Sequence, residues 1–355
     1  MRRSLAPALL LAALGCGPPA TPQEPPPDPA ARQRSVLLRP GGLFVQVRLD
    51  HVRTWLPSLG EIAALSWTPE LPGASCLVDF VWSADFAAAW LATPGALAAP
   101  TSGAALLDGV RATGERVEAW MDCVLAGLGS GAQRRDVAAP PDASAPSPPP
   151  PLSFLVGTGR WRDAGLAPLD SAGRYGVIVG EPFETWALEL AGLAPPPAAQ
   201  ASGPAALVQD ADVQLVWLDA EAVVDLLQRG SAGLGPVPPP EEIRGVAAGL
   251  WLGERPHADA WVQARGPEAA VAVADTLRTF ATMLELSVSV QAAQLGTVYG
   301  ADIQQRAEQV AAIAENAVID IHESLVRVHL DLTPAELDLV QGFALALASR
   351  GLDEP

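Results

Sequence analysis

Apolar and polar positions alternate over short stretches of this chain and then switch to a spacing of three and four, and the switch recurs six times. Leu43 to Leu49 (LFVQVRL) is followed by Asp50 and HVRTWLPSL, and Leu77 to Trp82 (LVDFVW) by Ser83 and ADFAAAWL. Tyr175 to Val179 leads through Gly180 into EPFETWALEL, and Val213 to Leu218 (VQLVWL) meets Asp219 and AEAVVDLL. Ala258 to Arg265 meets Gly266-Pro267-Glu268 and a long Ala/Val/Leu stretch, and Val326 to Leu332 meets Thr333-Pro334-Ala335-Glu336 and LDLVQGFALALAS. A period of two sends alternate side chains to opposite faces of a strand, whereas a period near 3.6 draws one apolar stripe along a helix. Each unit therefore reads as strand, then cap or turn, then amphipathic helix.

The joints have their own chemistry. A side-chain oxygen from Asp50, Ser83, Asp219 or Thr333 can accept from the orphan N–H groups of a first helical turn. Thr333 with Glu336 has capping-box spacing, and Pro334 suits the first helical position. Three units lie on each side of residue 200, which hints at an internal duplication.

Two pairs of runs predict antiparallel hairpins. Ile243 to Gly253 and Ala258 to Arg265 are joined by only Glu254 to His257, whereas a parallel crossover needs a dozen residues or more. In Ala317 to Asp331 (AVIDIHESLVRVHLD), a turn at Glu323-Ser324 puts Ile319, Ile321, Val326, Val328 and Leu330 on one face. The other face then carries Val318, Asp320, His322, Leu325, Arg327, His329 and Asp331, the alternation of a sheet with one face on a core. The fold class that follows is α+β, with β-hairpins and amphipathic helices alternating and the helices packed on one face of a largely antiparallel twisted sheet. Residues 289–316 read as one polar-faced helix, in which Gly296 and Gly300 are spaced for close backbone approach.

Three Pro-rich interruptions punctuate the chain. The longest, 136–151, predicts a linker or loop between an α+β domain over 36–135 and a second over 152–352; 194–204 and 233–240 read as shorter loops.

Residues 1–16, MRRSLAPALLLAALGC, have the layout of a secretory signal peptide: Arg2 and Arg3, an apolar run from Leu5 to Leu14 too short to span a bilayer, and a small-residue cleavage site. Ala13-Leu14-Gly15-Cys16 resembles the lipobox of bacterial lipoproteins. The resemblance covers residues 1 to about 35. It implies removal of residues 1–15, acylation of Cys16 and attachment to the membrane through those acyl chains. Gly17 after the cysteine implies delivery to the outer membrane. Residues 16–35 then form the lipidated Cys and a Pro-rich tether without apolar periodicity, an extended spacer that at about 3.1 Å per residue reaches roughly 60 Å.

Composition narrows the partners. The chain has 22 Arg, no Lys and 40 Asp plus Glu, a formal charge of −18. Nucleic acid is a poor partner for such a surface, since affinity there comes from neutralised phosphates. With 49% apolar residues and ten Trp, the body can bury a large core. Besides Cys16 there are two thiols, Cys76 and Cys123, in what the leader makes an oxidising compartment. A disulfide between them closes a loop of about 48 residues, worth at most about 4 kcal/mol, provided their Cα atoms approach within about 7 Å. Two buried free thiols are the alternative.

Candidate chemistry is sparse. Asp320, His322, His329 and Asp331 have ligand-type side chains on one hairpin face, but the register sets His329 opposite Val318 and His322 opposite Leu325. The imidazoles then lie roughly 13 Å apart, and Asp320 opposite Arg327 predicts a cross-strand ion pair. No metal or cofactor site is expected. His51 and His257 are isolated. Gly127-Leu128-Gly129-Ser130-Gly131 fails the nucleophile-elbow pattern and reads as a turn. Trp82, Trp90, Trp217, Trp251 and Trp261 read as core, and Trp161, between Arg160 and Arg162, as folded back on its sheet. The forty acids include adjacent pairs such as Glu241-Glu242, but no catalytic pair can be picked from them. The reading is a non-enzymatic, lipid-anchored envelope protein that binds an envelope protein or a small ligand. The alternatives are a lipid-anchored hydrolase with a dispersed site and a structural subunit of an envelope assembly.

Overall fold

The computed structural model describes residues 28–62, 74–92, 102–112, 114–127, 129–138, 151–159, 162–194, 203–218 and 242–350. In chain order these form α1 (Pro29–Leu37), β1 (Gly42–Arg48), α2 (Leu49–Trp55), α3 (Ala74–Trp82), β2 (Phe86–Ala92), β3 (Gly103–Asp108), α4 (Gly114–Gly127), β4 (Ala132–Val137), β5 (Leu152–Gly157), β6 (Ala164–Pro168) and β7 (Tyr175–Val179). There follow α5 (Phe183–Leu190), α6 (Pro204–Leu207), β8 (Val213–Trp217), β9 (Ile243–Trp251), β10 (His257–Ala264), α7 (Pro267–Tyr299), α8 (Ala301–Ala314), β11 (Val318–His322), β12 (Leu325–Asp331) and α9 (Pro334–Arg350).

The strands make one twelve-stranded sheet in the order β11-β12-β10-β9-β8-β1-β2-β3-β7-β6-β5-β4, and every pairing is antiparallel. The α+β class and the antiparallel sheet are as expected. Outward from the central β1–β8 pair, one arm reads β1, β2, β3, β7, β6, β5, β4 and the other β8, β9, β10, β12, β11. Without the β6–β7 hairpin the two arms share one order: three successive strands, a helical segment, then a hairpin whose first strand is the edge. The duplication hinted at by the sequence is thus a repeat of topology.

Helices cover both faces, where one was expected. Leu106 and Leu107 point to opposite sides, and each belongs to a different core. Leu106 packs with Phe44, Val216, Phe154 and Ile178 beneath α1 and α5, which contribute Leu37, Phe183 and Trp186. Leu107 packs with Phe80 of α3, Val117 of α4, Leu166 and Tyr175. On that second face α2 and α9 bury Val52 and Leu337 beside Val47 and Leu250, and α7 buries Ala270, Val273 and Ala274 on Val262 and Val326. Cys76 of α3 and Cys123 of α4 form a disulfide with their Cα atoms 6.2 Å apart.

Several local expectations are corrected. Residues 77–82 are helix and 86–92 are strand, the reverse of the expected order. β2 is central and covered on both faces, so its apolar run shows no alternation, and short apolar runs do not distinguish strand from helix. Its alanines are small enough for Leu37 and Val36 of α1 to pack above Ala88. Ser83 closes α3, its hydroxyl donating to the Phe80 carbonyl at 2.7 Å, instead of opening the next helix. Asp50 does not cap α2, whose preceding residue is Arg48 and which has no side-chain cap. The expected helix over 289–316 is broken by Gly300, at φ 100°, into the end of α7 and α8. Gly296 serves that break: a Cβ there would collide with the Gln304 side chain of α8. The helix expected after Asp219 lies outside the described residues. The Pro-rich stretch 136–151, read as a linker or loop, begins within β4 and ends beside β5, and Val137 pairs directly with Leu152.

Residues 29–35, expected from composition to belong to the tether, are part of α1. Gln33 is completely buried. Its amide donates to Asp108 Oδ2 at 3.0 Å and to the Leu106 carbonyl at 3.4 Å, and its oxygen accepts from the Gln46 amide at 3.1 Å. Replacing Gln33 by Ala removes a donor to a buried carboxylate, a loss of about 2–3 kcal/mol. Urea unfolding of Gln33→Ala should show a lower midpoint with an unchanged slope; a midpoint equal to the native one would mean that α1 is not docked in solution.

Candidate functional site

The polar face of the β9–β10–β12–β11 sheet gathers three of the four histidines. The β11–β12 register is the one read from the sequence, with Val318 opposite His329, Asp320 opposite Arg327 and His322 opposite Leu325. The expected Asp320–Arg327 pair is not the one formed. Arg327 reaches across to β10, where its Nε and Nη2 donate to Asp259 Oδ1 and Oδ2 at 2.8 and 3.0 Å. His329 Nδ1 lies 2.8 Å from Asp259 Oδ1, and its Nε2 lies 3.2 Å from Asp331. Asp259 wins because its side chain is 8% exposed: a carboxylate removed from water needs partners more than one at the rim does.

Burial alone raises the Asp259 pKa, but the hydrogen bonds and charges of Arg327 and His329 outweigh it and hold the carboxyl below its usual range. The Arg327 guanidinium is raised, chiefly by its bond to Asp259. His257 stacks on Trp251 at 4.7 Å between ring centres, and Arg327 lies 5.4 Å from the Trp261 ring centre. This is a mutually satisfied network. Among the described residues no group of three or more His, Cys, Asp or Glu could hold a metal.

Elsewhere the sequence candidates are dispersed. His51 Nδ1 lies 2.9 Å from Asp212, which also accepts from the Leu252 amide at 2.7 Å. Ser130 donates to the Thr158 carbonyl at 3.1 Å and accepts from the Thr158 amide at 2.9 Å, so it ties the ends of β4 and β5 together. Cys16 and Trp161 lie outside the described residues.

A concave site lies on the other side of the sheet, between α4 and strands β4 to β7. It is a cleft of ≈ 300 Å³, the lower end of the range for small-molecule sites. Its floor is Val117, Leu155, Leu166 and Tyr175, and Arg134 and Glu118 stand at its margin. Arg134 lies opposite Leu155 in the β4–β5 register and bonds Glu118 of α4 at 2.7 Å. The two side chains are 64% and 55% exposed, so the pair is a surface bridge laid over an apolar hollow. Tyr175 meets Phe80 edge-on at 5.8 Å. Burial, and secondarily the charge of Glu118, pushes its hydroxyl pKa up, so it remains a neutral donor.

Sequence reasoning missed Asp259 and the whole cleft. Asp259 alternates with Trp261 in HADAWVQA, on the same face as the polar side of the last hairpin, so recognising the β10–β12 pairing would have found it. The cleft had no such signal: its lining comes from five elements with no common motif.

The acid limb of stability tests the Asp259 network. A carboxyl held below its usual value stabilises the fold fully above the unfolded-state pKa of about 4, and this is lost as pH falls through the lower folded value. Asp259→Asn should cost about 2 kcal/mol at neutral pH, with the gap to the native chain closing on acidification. A gap independent of pH would show that Asp259 is not a held anion.

No family model matches the chain, and no curated protein matches it. Among solved structures it is similar to crystal form I of TP0453, with a TM-score of 0.40 and 7% identity over 86% of this chain and 95% of that one, a likeness too slight to carry function.

Proposed function

We propose that this chain is a non-enzymatic, lipid-anchored protein of the bacterial envelope that binds a small, largely apolar ligand in the cleft between α4 and β4–β7. The observation that carries the reading is an apolar floor of Val117, Leu155, Leu166 and Tyr175 beneath an exposed ion pair. Binding is favoured over catalysis by the lining itself. It includes one carboxylate, that of Glu118, already bonded to Arg134, and neither histidine nor cysteine. A nucleophile or acid–base pair needs an activating neighbour, and the hydroxyls of Ser153 and Tyr175 have none among these residues.

The envelope address rests on the lipobox-like Ala13-Leu14-Gly15-Cys16 and the apolar run before it. Among the described residues no helix is long and apolar enough to cross a membrane, so in this reading the acyl chains on Cys16 supply the attachment. The body, at a formal charge of −18, is repelled by anionic lipid and adds no hold of its own on the membrane.

Two measurements check the two halves. Cys16→Ser should move the protein from the membrane fraction to the soluble one; persistence in the membrane fraction would remove the anchor. Toluene should receive saturation transfer in NMR from the native protein and not from Leu155→Trp, which fills the cleft. Equal transfer in both would place apolar binding elsewhere.

A further inference from the structure

We infer that the cleft ligand is a zwitterion with an apolar body, an apolar α-amino acid being the chemistry that fits. This rests on the cleft being the binding site, and deepens that reading by naming what its margin recognises.

The margin offers one cation and one anion 2.7 Å apart, Arg134 and Glu118, over a floor that is otherwise apolar. A ligand with a carboxylate alone would satisfy Arg134 but set a second negative charge beside Glu118, on a chain whose formal charge is −18. A ligand with an ammonium alone would satisfy Glu118 and strand Arg134. A molecule carrying both groups on one carbon meets both, its carboxylate on the planar guanidinium fork and its ammonium on Glu118. Its side chain then points at Leu155, Leu166 and Val117.

Opening the protein's own pair costs little, since bridges between exposed side chains contribute little to stability. The ligand replaces it with two charge pairs over apolar surface, where water is partly excluded. Tyr175 completes the selection. Its ring supplies apolar contact on the floor, and its hydroxyl stays protonated, adding a donor and no further negative charge.

The arms of the experiment separate this proposal from the cleft reading. Isothermal titration would compare L-phenylalanine with 3-phenylpropanoate, which lacks the ammonium, 2-phenylethylamine, which lacks the carboxylate, and toluene, which lacks both. Phenylalanine is expected to bind at least tenfold more tightly than either singly charged analogue. Arg134→Gln and Glu118→Gln are each expected to abolish that advantage, phenylalanine then binding no more tightly than the singly charged analogues. Both positions are exposed, so both variants should keep the native melting temperature. If toluene binds but phenylalanine shows no advantage, the zwitterion proposal is overturned and the apolar cleft stands. If phenylalanine binds and neither variant weakens it, the proposal is also overturned. If none of the four binds, the cleft reading falls and takes this proposal with it.

Discussion

The antiparallel pairing of β1 with β8 is the contact on which the rest of the sheet depends, because it joins two arms that otherwise share no strand. Five residue pairs make it, from Leu43 opposite Trp217 to Val47 opposite Val213. Within it Gln46 lies opposite Gln214, and both are buried at 1% exposure. Buried amides need partners, and α1 provides them on both sides of the seam. Gln33 bonds Gln46 and Asp108 on one arm; Arg34 bonds Gln214 and the Ala205 carbonyl on the other. Arg34 is half-buried, and this desolvation lowers its pKa, an effect Asp210 opposes. The segment next to the expected tether is therefore also the pin between the arms.

The cleft follows from where the arms differ. In the β8 arm the order closes without an insertion, and the 33-residue α7 lies over the strands, burying Ala270, Val273 and Ala274 against Val262 and Val326. In the β1 arm the β6–β7 hairpin widens the sheet by two strands, while the helix in the corresponding place, α4, has 14 residues. The short helix packs Val117 with Leu166 and Tyr175, which are buried, and Leu155 on the next strand is only half-buried. The disulfide from Cys123 to Cys76 ties α4 to α3, which sets the helix wall of the cleft against its neighbour. The polar face of β9–β12 is different in kind: its charges are spent on one another, with Asp259 at the centre, and it strengthens the sheet without presenting a recess.

Period and punctuation carried much of the element order. The β9–β10 and β11–β12 hairpins, the register of the second, the Thr333–Glu336 capping box and the α+β class were all legible, because each rests on contacts close in sequence. Thr333 and Glu336 do exchange hydrogen bonds, the Thr333 amide to the carboxylate at 2.7 Å and the Glu336 amide to the hydroxyl at 3.2 Å. The failures share one cause. The expected strand and helix are exchanged because both 74–82 and 86–92 are largely apolar, and which becomes a central strand depends on β1 and β3 pairing on either side of it.

By itself, then, the sequence determined the local vocabulary: where strands turn, where α7 and α9 start, how one hairpin aligns, and that the first sixteen residues resemble a lipoprotein leader. Tertiary structure alone decided that the strands join into one sheet with helices on both faces. It also decided that Gln33 is a buried pin and not part of a spacer, that Arg327 takes Asp259 over Asp320, and that five elements leave a cleft under α4. The physical reason is distance along the chain. Hairpin register and helix caps are settled among neighbours, whereas pairing across a seam, burial of a polar group and an unfilled hollow depend on segments up to 180 residues apart.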